Sequence, residues 1–226
     1  MNTEARTNAI TGSVTVTVNE AAGQAAIERA KALLAGIQGG VDKAMKASMS
    51  RTVDRLRRES NQAIREKYDI TDAGIRAEKN VRVRYSYQNG VQATVTFSGR
   101  KIPLYRFGGA YPKVPTKDIA AGKKPVMVKG AWTMQYQGVA ARGHQFQDTG
   151  PTQFMDAFVA QMKSGHIGIF ERTGGSTSEG SDAIREIMGS SVAQMVGNQQ
   201  VAQGLTERAY ETFETELDKA VYRILT

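Results

Sequence analysis

FMDAFVAQMKSGHIGIFERTG, residues 154–174, is the stretch whose folding decides how the rest of the chain is organised. Phe154, Phe158 and Met162 recur at i, i+4 and i+8, so the spacing predicts a short helix with these three on one face. Gly165 supplies the positive φ of a helix C-cap, and Lys163 stands in the last turn, where the helix dipole favours a cation. From His166 to Arg172 the chain alternates, with Ile167 and Ile169 on one side and Phe170 on the other, which predicts a buried strand. Gly168 leaves room there for another backbone or an aromatic ring. Buried at about 1.5–3 kcal/mol each, Phe154, Phe158, Met162, Ile167, Ile169 and Phe170 are enough to anchor a helix–turn–strand core.

Upstream lies a hairpin. Val81, Val83, Tyr85 and Tyr87 alternate with Arg82, Arg84 and Ser86, Gln88-Asn89-Gly90 turns, with Asn-Gly supplying the positive φ values of a type I′ turn, and Val91, Ala93, Val95 and Phe97 return on alternate positions. One face is apolar and the other basic or hydroxylic, so the sheet packs on one side. Pro103 confines any strand in Arg100–Phe107 to an edge or a bulge. Residues 108–125, rich in Gly, Pro and Lys, read as a long loop, and Val126–Tyr136, with the only tryptophan, Trp132, returns to strand character.

Before the hairpin the period is helical. Ile27, Ala30, Leu34, Ile37, Val41, Met45, Ser48, Thr52 and Leu56 follow spacings of three and four after a candidate N-cap at Asn19. Unbroken from Glu20 to Glu66, this helix would be about 70 Å long at about 1.5 Å per residue. Gly39-Gly40, at roughly 1 kcal/mol per Gly, marks a kink or break. Thr71 or Asp72 caps a short turn reaching Lys79. Val14, Val16 and Val18 alternate with Ser13, Thr15 and Thr17, predicting a strand that must add to a sheet edge of this chain or of a neighbour. Residues 1–12 are polar.

Downstream, Gly174–Ser181 reads as a Gly/Ser connector, followed by apolar pieces at Ile184, Ile187 and Met188 and at 190–195. A terminal helix carries Leu205, Ala209, Phe213, Leu217, Ala220 or Val221, and Ile224 in one stripe, with Glu207, Glu211, Glu214, Glu216 and Asp218 around it. The expected fold class is α+β: a long N-terminal amphipathic helix packed on an antiparallel sheet, with a C-terminal helix. Residues 1–19 form an arm, and 20–226 a single domain.

The 226 residues carry a net charge of +8, unevenly spread. Lys43–Lys67 holds eight bases and three acids, Arg76–Arg106 seven and one, and Lys113–Lys129 five and one, whereas Ser176–Thr226 has eight acids against four bases. Such asymmetry suits an anion-facing surface or basic-to-acidic contact between subunits. No cysteine is present, which excludes disulfides and thiolate metal sites. MNTEARTNAITGS lacks the basic flank and apolar run of a signal peptide, and no apolar run approaches the roughly 18–20 residues that cross a bilayer.

Catalytic chemistry finds little support. His144 and His166 have no metal-ligating companion at i+3 or i+4, and neither a Gly-x-Ser-x-Gly elbow nor a phosphate loop occurs. Asp148, Asp156 and Glu171 are the carboxylates nearest the 154–174 unit, and nothing else in the sequence joins them in acid–base work. The expectation is a protein without enzymatic activity, cofactor or metal.

Ala157–Arg172 resembles the signature segment of the minor tail protein Z family of long-tailed phages, Ala-Phe-(Ile/Val)-Ala-x-Met-x-(Ser/Asn)-Gly-His-x-Gly-(Val/Ile)-Phe-x-Arg. The resemblance makes Phe154, Phe158, Met162, Gly165, His166, Gly168, Phe170 and Arg172 the core signature. It implies a structural virion protein at the head-proximal end of a long tail, assembled in the host cytoplasm, which completes the tail and makes it competent to join the head. Tail symmetry implies a closed homo-oligomeric ring, six-fold by expectation, meeting tail-terminator, tail-tube or head-connector proteins, with genomic DNA passing through its lumen and no membrane contact. Arg51, Arg55, Arg58, Arg100, Lys101, Lys123 and Lys124 are then candidates for lumen or subunit contacts, and Glu207, Glu211, Glu214 and Asp218 for subunit contacts. The N-terminal strand and the 108–150 region depart from the family pattern. The alternative is a nucleic-acid-binding module in which Tyr85 and Tyr87 stack on bases, although their parity with Val81 and Val83 turns them toward the core.

Overall fold

A computed structural model of the chain describes residues 14–18, 23–86, 91–110, 123–128, 130–136, 141–154, 157–176 and 182–226. In chain order its first elements are β1 (Val14–Val18), α1 (Gln24–Leu33), α2 (Gly40–Lys67), α3 (Asp72–Glu78), β2 (Asn80–Ser86), β3 (Gln92–Ser98) and β4 (Lys101–Pro103). Then follow a 3-10 turn (Leu104–Arg106), β5 (Lys123–Val128), β6 (Ala131–Tyr136), β7 (Ala141–Gly143), β8 (Thr152–Phe154), β9 (Ala157–Gln161) and β10 (Ile167–Ser176). The last are β11 (Asp182–Glu186), β12 (Met188–Ser191), α4 (Val192–Val196) and α5 (Gln199–Leu225). The class is α+β with antiparallel sheets, as expected. Two compact units share the chain, one of Met1–Glu66, Glu78–Arg100 and Ser191–Thr226, the other of Lys67–Ala77 and Lys101–Ser190. The domain drawn over 20–226 spans both. Among the described residues, no helix is long and apolar enough to cross a membrane.

The first unit is built on an antiparallel sheet in the order β1-β3-β2. The expected hairpin strands pair, with Val83 opposite Val95, and β1 adds to the other side of β3, Val16 opposite Val95. The edge that the N-terminal strand needs is therefore in its own chain. Ala93, Val95 and Phe97 are buried while Thr94 and Thr96 are half-buried, the alternation of a sheet covered on one face. Tyr85 keeps its parity with Val81 and Val83, opposite the buried Ala93, yet is 39% exposed, because β2 is an edge strand with no buried residue. Helices α4 and α5 pack on β1, α4 also on β3, and α1 on α5. A reciprocal capping box starts α4, Gln194 N donating to Ser191 Oγ at 3.2 Å and Ser191 N to Gln194 Oε1 at 2.9 Å.

The helical run breaks where the glycine pair lies. α1 ends at Leu33, and Gly39, at φ +71°, lets α2 begin at Gly40. Of the predicted stripe, Ile27, Ala30, Leu34, Met45, Ser48, Thr52 and Leu56 are buried and Ile37 is exposed. Polar members of the stripe satisfy themselves within the helix. Ser48 Oγ donates to Met45 O and Thr52 Oγ1 to Ser48 O, both at 2.9 Å. Lys79, just before β2, donates to Arg57 O at 3.0 Å and to Ser60 Oγ and Asn61 Oδ1 at 2.6 Å, so all three ammonium donors can bond to α2. Its ammonium also lies 5.6 Å from the centre of the Phe97 ring. On α5, Leu205, Ala209, Phe213, Leu217, Ala220 and Val221 form the buried stripe that their spacing predicts.

The second unit holds a three-stranded sheet in the order β11-β10-β9 and three two-stranded pairs, β12-β4, β5-β6 and β7-β8. Pro103 ends a three-residue strand, as its missing N–H requires. Val126–Tyr136 has the strand character expected of it, Val126–Val128 ending β5 and Ala131–Tyr136 forming β6, paired antiparallel. Of the loop drawn at about 108–125, Gly108–Ala110 close a turn, Lys123–Pro125 open β5, and 111–122 lie outside the described residues. So do the residues 1–12, the N-cap at Asn19, the Asn89-Gly90 turn, Asp156, and 177–181 of the Gly/Ser connector.

The helix predicted over Phe154–Met162 is not formed. Phe154 ends β8, and Ala157–Gln161 is the strand β9, paired antiparallel with β10 so that Phe158 opposes Phe170 and Val159 opposes Ile169. A spacing of four satisfies both the helical and the strand period, so Phe154, Phe158 and Met162 could not decide between them. The alternation of buried Ala157 and Val159 with half-buried Phe158 and Ala160 is that of a strand. Gly165 does adopt positive φ, +85°, but in the β9–β10 turn, where Met162 N donates to His166 O at 2.7 Å.

Candidate functional site

The paired strands β9, β10 and β11 divide the signature between two faces. One face carries Ala157, Val159 and Ile169, all buried, and is the core. The other carries Phe158, Met162, His166, Gly168, Phe170 and Arg172 from the signature, with Glu186 and Ile184 from β11. There Phe170 is buried, Phe158, Met162 and His166 are half-buried, and Arg172 and Ile184 are exposed. Phe158 is thus a surface-flanking aromatic and not the core residue its helical placement implied. The Arg172 guanidinium lies 4.9 Å from the Phe158 ring centre, and the Phe158 and Phe170 centroids are 6.3 Å apart. Phe154, on β8, is half-buried opposite Ala141.

Gly168 explains the His-x-Gly pattern locally. Glu186 stands opposite Phe170, yet its carboxylate reaches along the face to His166 Nε2 at 2.7 Å. The path crosses Gly168, where a Cβ would collide with the Glu186 carboxylate. His166 also meets Phe170 edge-on, with centroids 6.3 Å apart. The imidazole is packed and hydrogen-bonded.

His144 is held as firmly. Its Nε2 lies 2.7 Å from Asp69 Oδ2 and its Nδ1 faces the Thr149 carbonyl oxygen, so both ring nitrogens are engaged. The Gly109 backbone passes so close that a Cβ there would overlap the ring. Around this pin, Asp69 N donates to Gln145 O at 2.8 Å and the Tyr68 and Phe146 rings meet tilted, with centroids 4.9 Å apart. Asp148 accepts from Lys67 Nζ at 2.8 Å, and that hydrogen bond holds its carboxyl below the usual range. Glu171 is paired with Arg185, Nε to Oε1 at 2.8 Å. The carboxylates therefore serve separate ion pairs, and among the described residues no group of three or more His, Asp or Glu stands where it could hold a metal ion.

In the first unit several proposed contact residues are already used within the chain. Arg51 lies 3.6 Å from Glu216, Arg55 is bonded to Glu59 at 2.6 Å, and Arg29 lies 3.4 Å from Asp218. Glu216 is held below its usual pKa first by its hydrogen bond from Lys219, then by the charges of Lys219, Arg51 and Arg223. Arg208 pairs with Glu66 at 2.8 Å, so the partners descend along α5 as they ascend along α2 and the two helices run antiparallel. Arg58 and Arg100 are exposed, as are Glu207, Glu211 and Glu214 on the outer face of α5. In the second unit Lys101 is exposed, and Lys123 and Lys124 open β5. Position in β2 adds two cations not singled out from sequence, the exposed Arg82 and Arg84 on the outer face of the sheet.

The fold and these surfaces define a protein whose distinctive residues pack and pair. The chain belongs to the prophage minor tail protein Z (GPZ) family, whose model matches residues 22–226. It is thus a phage minor tail protein, a component of the virion tail. The match contains the 108–150 region and begins after β1, which lies outside it. No curated protein and no solved structure matches the chain.

Proposed function

We propose that the chain works at the head-proximal end of a long tail, where it completes the tail and makes it competent to join the head. Membership of the minor tail protein Z family over residues 22–226 is the observation that carries this reading. The role is structural and non-catalytic. Both histidines are engaged in hydrogen bonds to carboxylates, and six of the signature residues, Phe158, Met162, His166, Gly168, Phe170 and Arg172, lie on one face of a sheet.

The working form is a closed homo-oligomeric ring, six-fold to match the tail, that meets terminator, tube or connector proteins above and below. Heterologous contacts close such a ring when the rotation between neighbours permits it. Genomic DNA passes through the lumen, and exposed arginines meet its phosphates weakly and without sequence preference, since the genome must slide. Gold-labelled antibodies raised against the chain, applied to intact particles, are expected to mark the head–tail junction. Label confined to the distal tip or spread along the tube would reject that position.

A further inference from the structure

Among the described residues, large exposed apolar side chains are unevenly placed. Seven exist, and Leu33, Ile37, Tyr222 and Leu225, at 59%, 39%, 69% and 51% exposure, come from the ends of α1 and α5 and the connector after α1. The two helices run side by side in the same direction, because Gly23 lies against Phe213 and Arg29 pairs with Asp218 six and five residues further on. One turn beyond that ion pair, on the same faces, stand Leu33 and Tyr222. A cluster of this kind marks an interaction surface more than the same residues scattered singly would. It continues the exposed stripe of α5, in which Glu207, Glu211, Glu214 and Asp218 precede Tyr222 and Leu225.

At the opposite edge of the sheet from the β1 that α5 packs on lies β2. Among the described residues, no strand pairs with the outer edge of β2. Its outer face presents the exposed Arg82 and Arg84, opposite Thr96 and Thr94. The two surfaces are complementary in charge, acidic along α5 and basic on β2. Arg82 and Arg84 stand about 7 Å apart along a strand, and Glu207 and Glu211 about 6 Å apart along a helix.

We propose that the occupant of the α5 stripe is the outer face of β2 of a second copy of this chain, with Arg82 and Arg84 facing Glu207, Glu211 and Glu214. Surfaces at opposite edges of one unit give a heterologous contact, repeated from copy to copy. The inference rests on the ring reading and supplies its interface.

The absence of cysteine makes a clean test. Arg84→Cys and Glu214→Cys proteins, both altered at exposed positions, are mixed and treated with a flexible bis-maleimide. Cross-linked heterodimers should form in the mixture well above the level of cross-linking in either variant alone. Doubly reversed Arg82→Glu/Arg84→Glu protein should self-associate on the order of a hundredfold more weakly, as like charges come together, and Glu211→Arg/Glu214→Arg protein should restore association with it. If the unaltered chain assembles while the mixture shows no excess cross-linking and the reversal has no effect, the contact is wrong and the ring reading stands. An unaltered chain that keeps the 24.6 kDa monomer mass at every concentration and salt tested overturns both. Reversal that spares assembly but abolishes retention on DNA at low salt assigns β2 to nucleic acid and overturns the contact.

Discussion

Phe213→Ala is expected to lower the stability of the fold by about 3–5 kcal/mol. The ring is fully buried on the inner stripe of α5, about one turn from Ala209 and from Leu217. Its other side is closed by main chain: a Cβ at Gly23 would lie only 2.9 Å from the ring. Backbone at the entry to α1 cannot fold inward to fill the space a lost phenyl leaves, so the cavity term adds to the lost transfer energy. Denaturant melts of the variant and the unaltered chain, compared at equal slope, measure the difference. A loss below about 1 kcal/mol would show that α5 does not pack on α1 in this way.

A loss of similar size, again about 3–5 kcal/mol, is expected for Phe107→Ala in the second unit. Phe107 is 1% exposed and joins three separate stretches. It forms a β-bridge to Ile70, its N–H closes the 3-10 turn by donating to Leu104 O at 3.1 Å, and Gly189 lies under its ring. A Cβ at Gly189 would be 2.6 Å from that ring, so here too the wall of the cavity is main chain. The same melts, read with near-ultraviolet circular dichroism, report it. An unchanged transition would mean that Phe107 is not packed between these stretches.

Elements whose pattern fits only one period were legible in the sequence. β2 and β3 alternate strictly and are separated by Asn-Gly, and α5 keeps its stripe from Leu205 to Val221. The strand at Val14–Val18 was visible as a strand, but pairing is a property of two segments, and only the structure places β3 beside it. Phe154–Met162 misled because a four-residue interval belongs to both periods, and cross-strand pairing with β10 settled it.

The polar contacts were largely illegible for a related reason. Asp69 is 75 residues from His144 and Glu186 is 20 from His166, so no local spacing announces either pair. Arg51 and Arg55 were candidates for lumen or subunit contacts, yet Glu216 and Glu59 engage them. Arg82 and Arg84 carried the opposite signal. Their alternation with valines marked them as an outer face, and their place on an edge strand, which no single-strand pattern reveals, makes them available to a partner.

Electron microscopy of a lysate from the encoding phage with a stop codon at Gln24 tests the central claim most directly. Filled heads beside detached or aberrant tails are the predicted outcome, with joined particles returning when the chain is supplied in trans. Intact, normally joined particles in the absence of the chain would contradict a role in completing the tail.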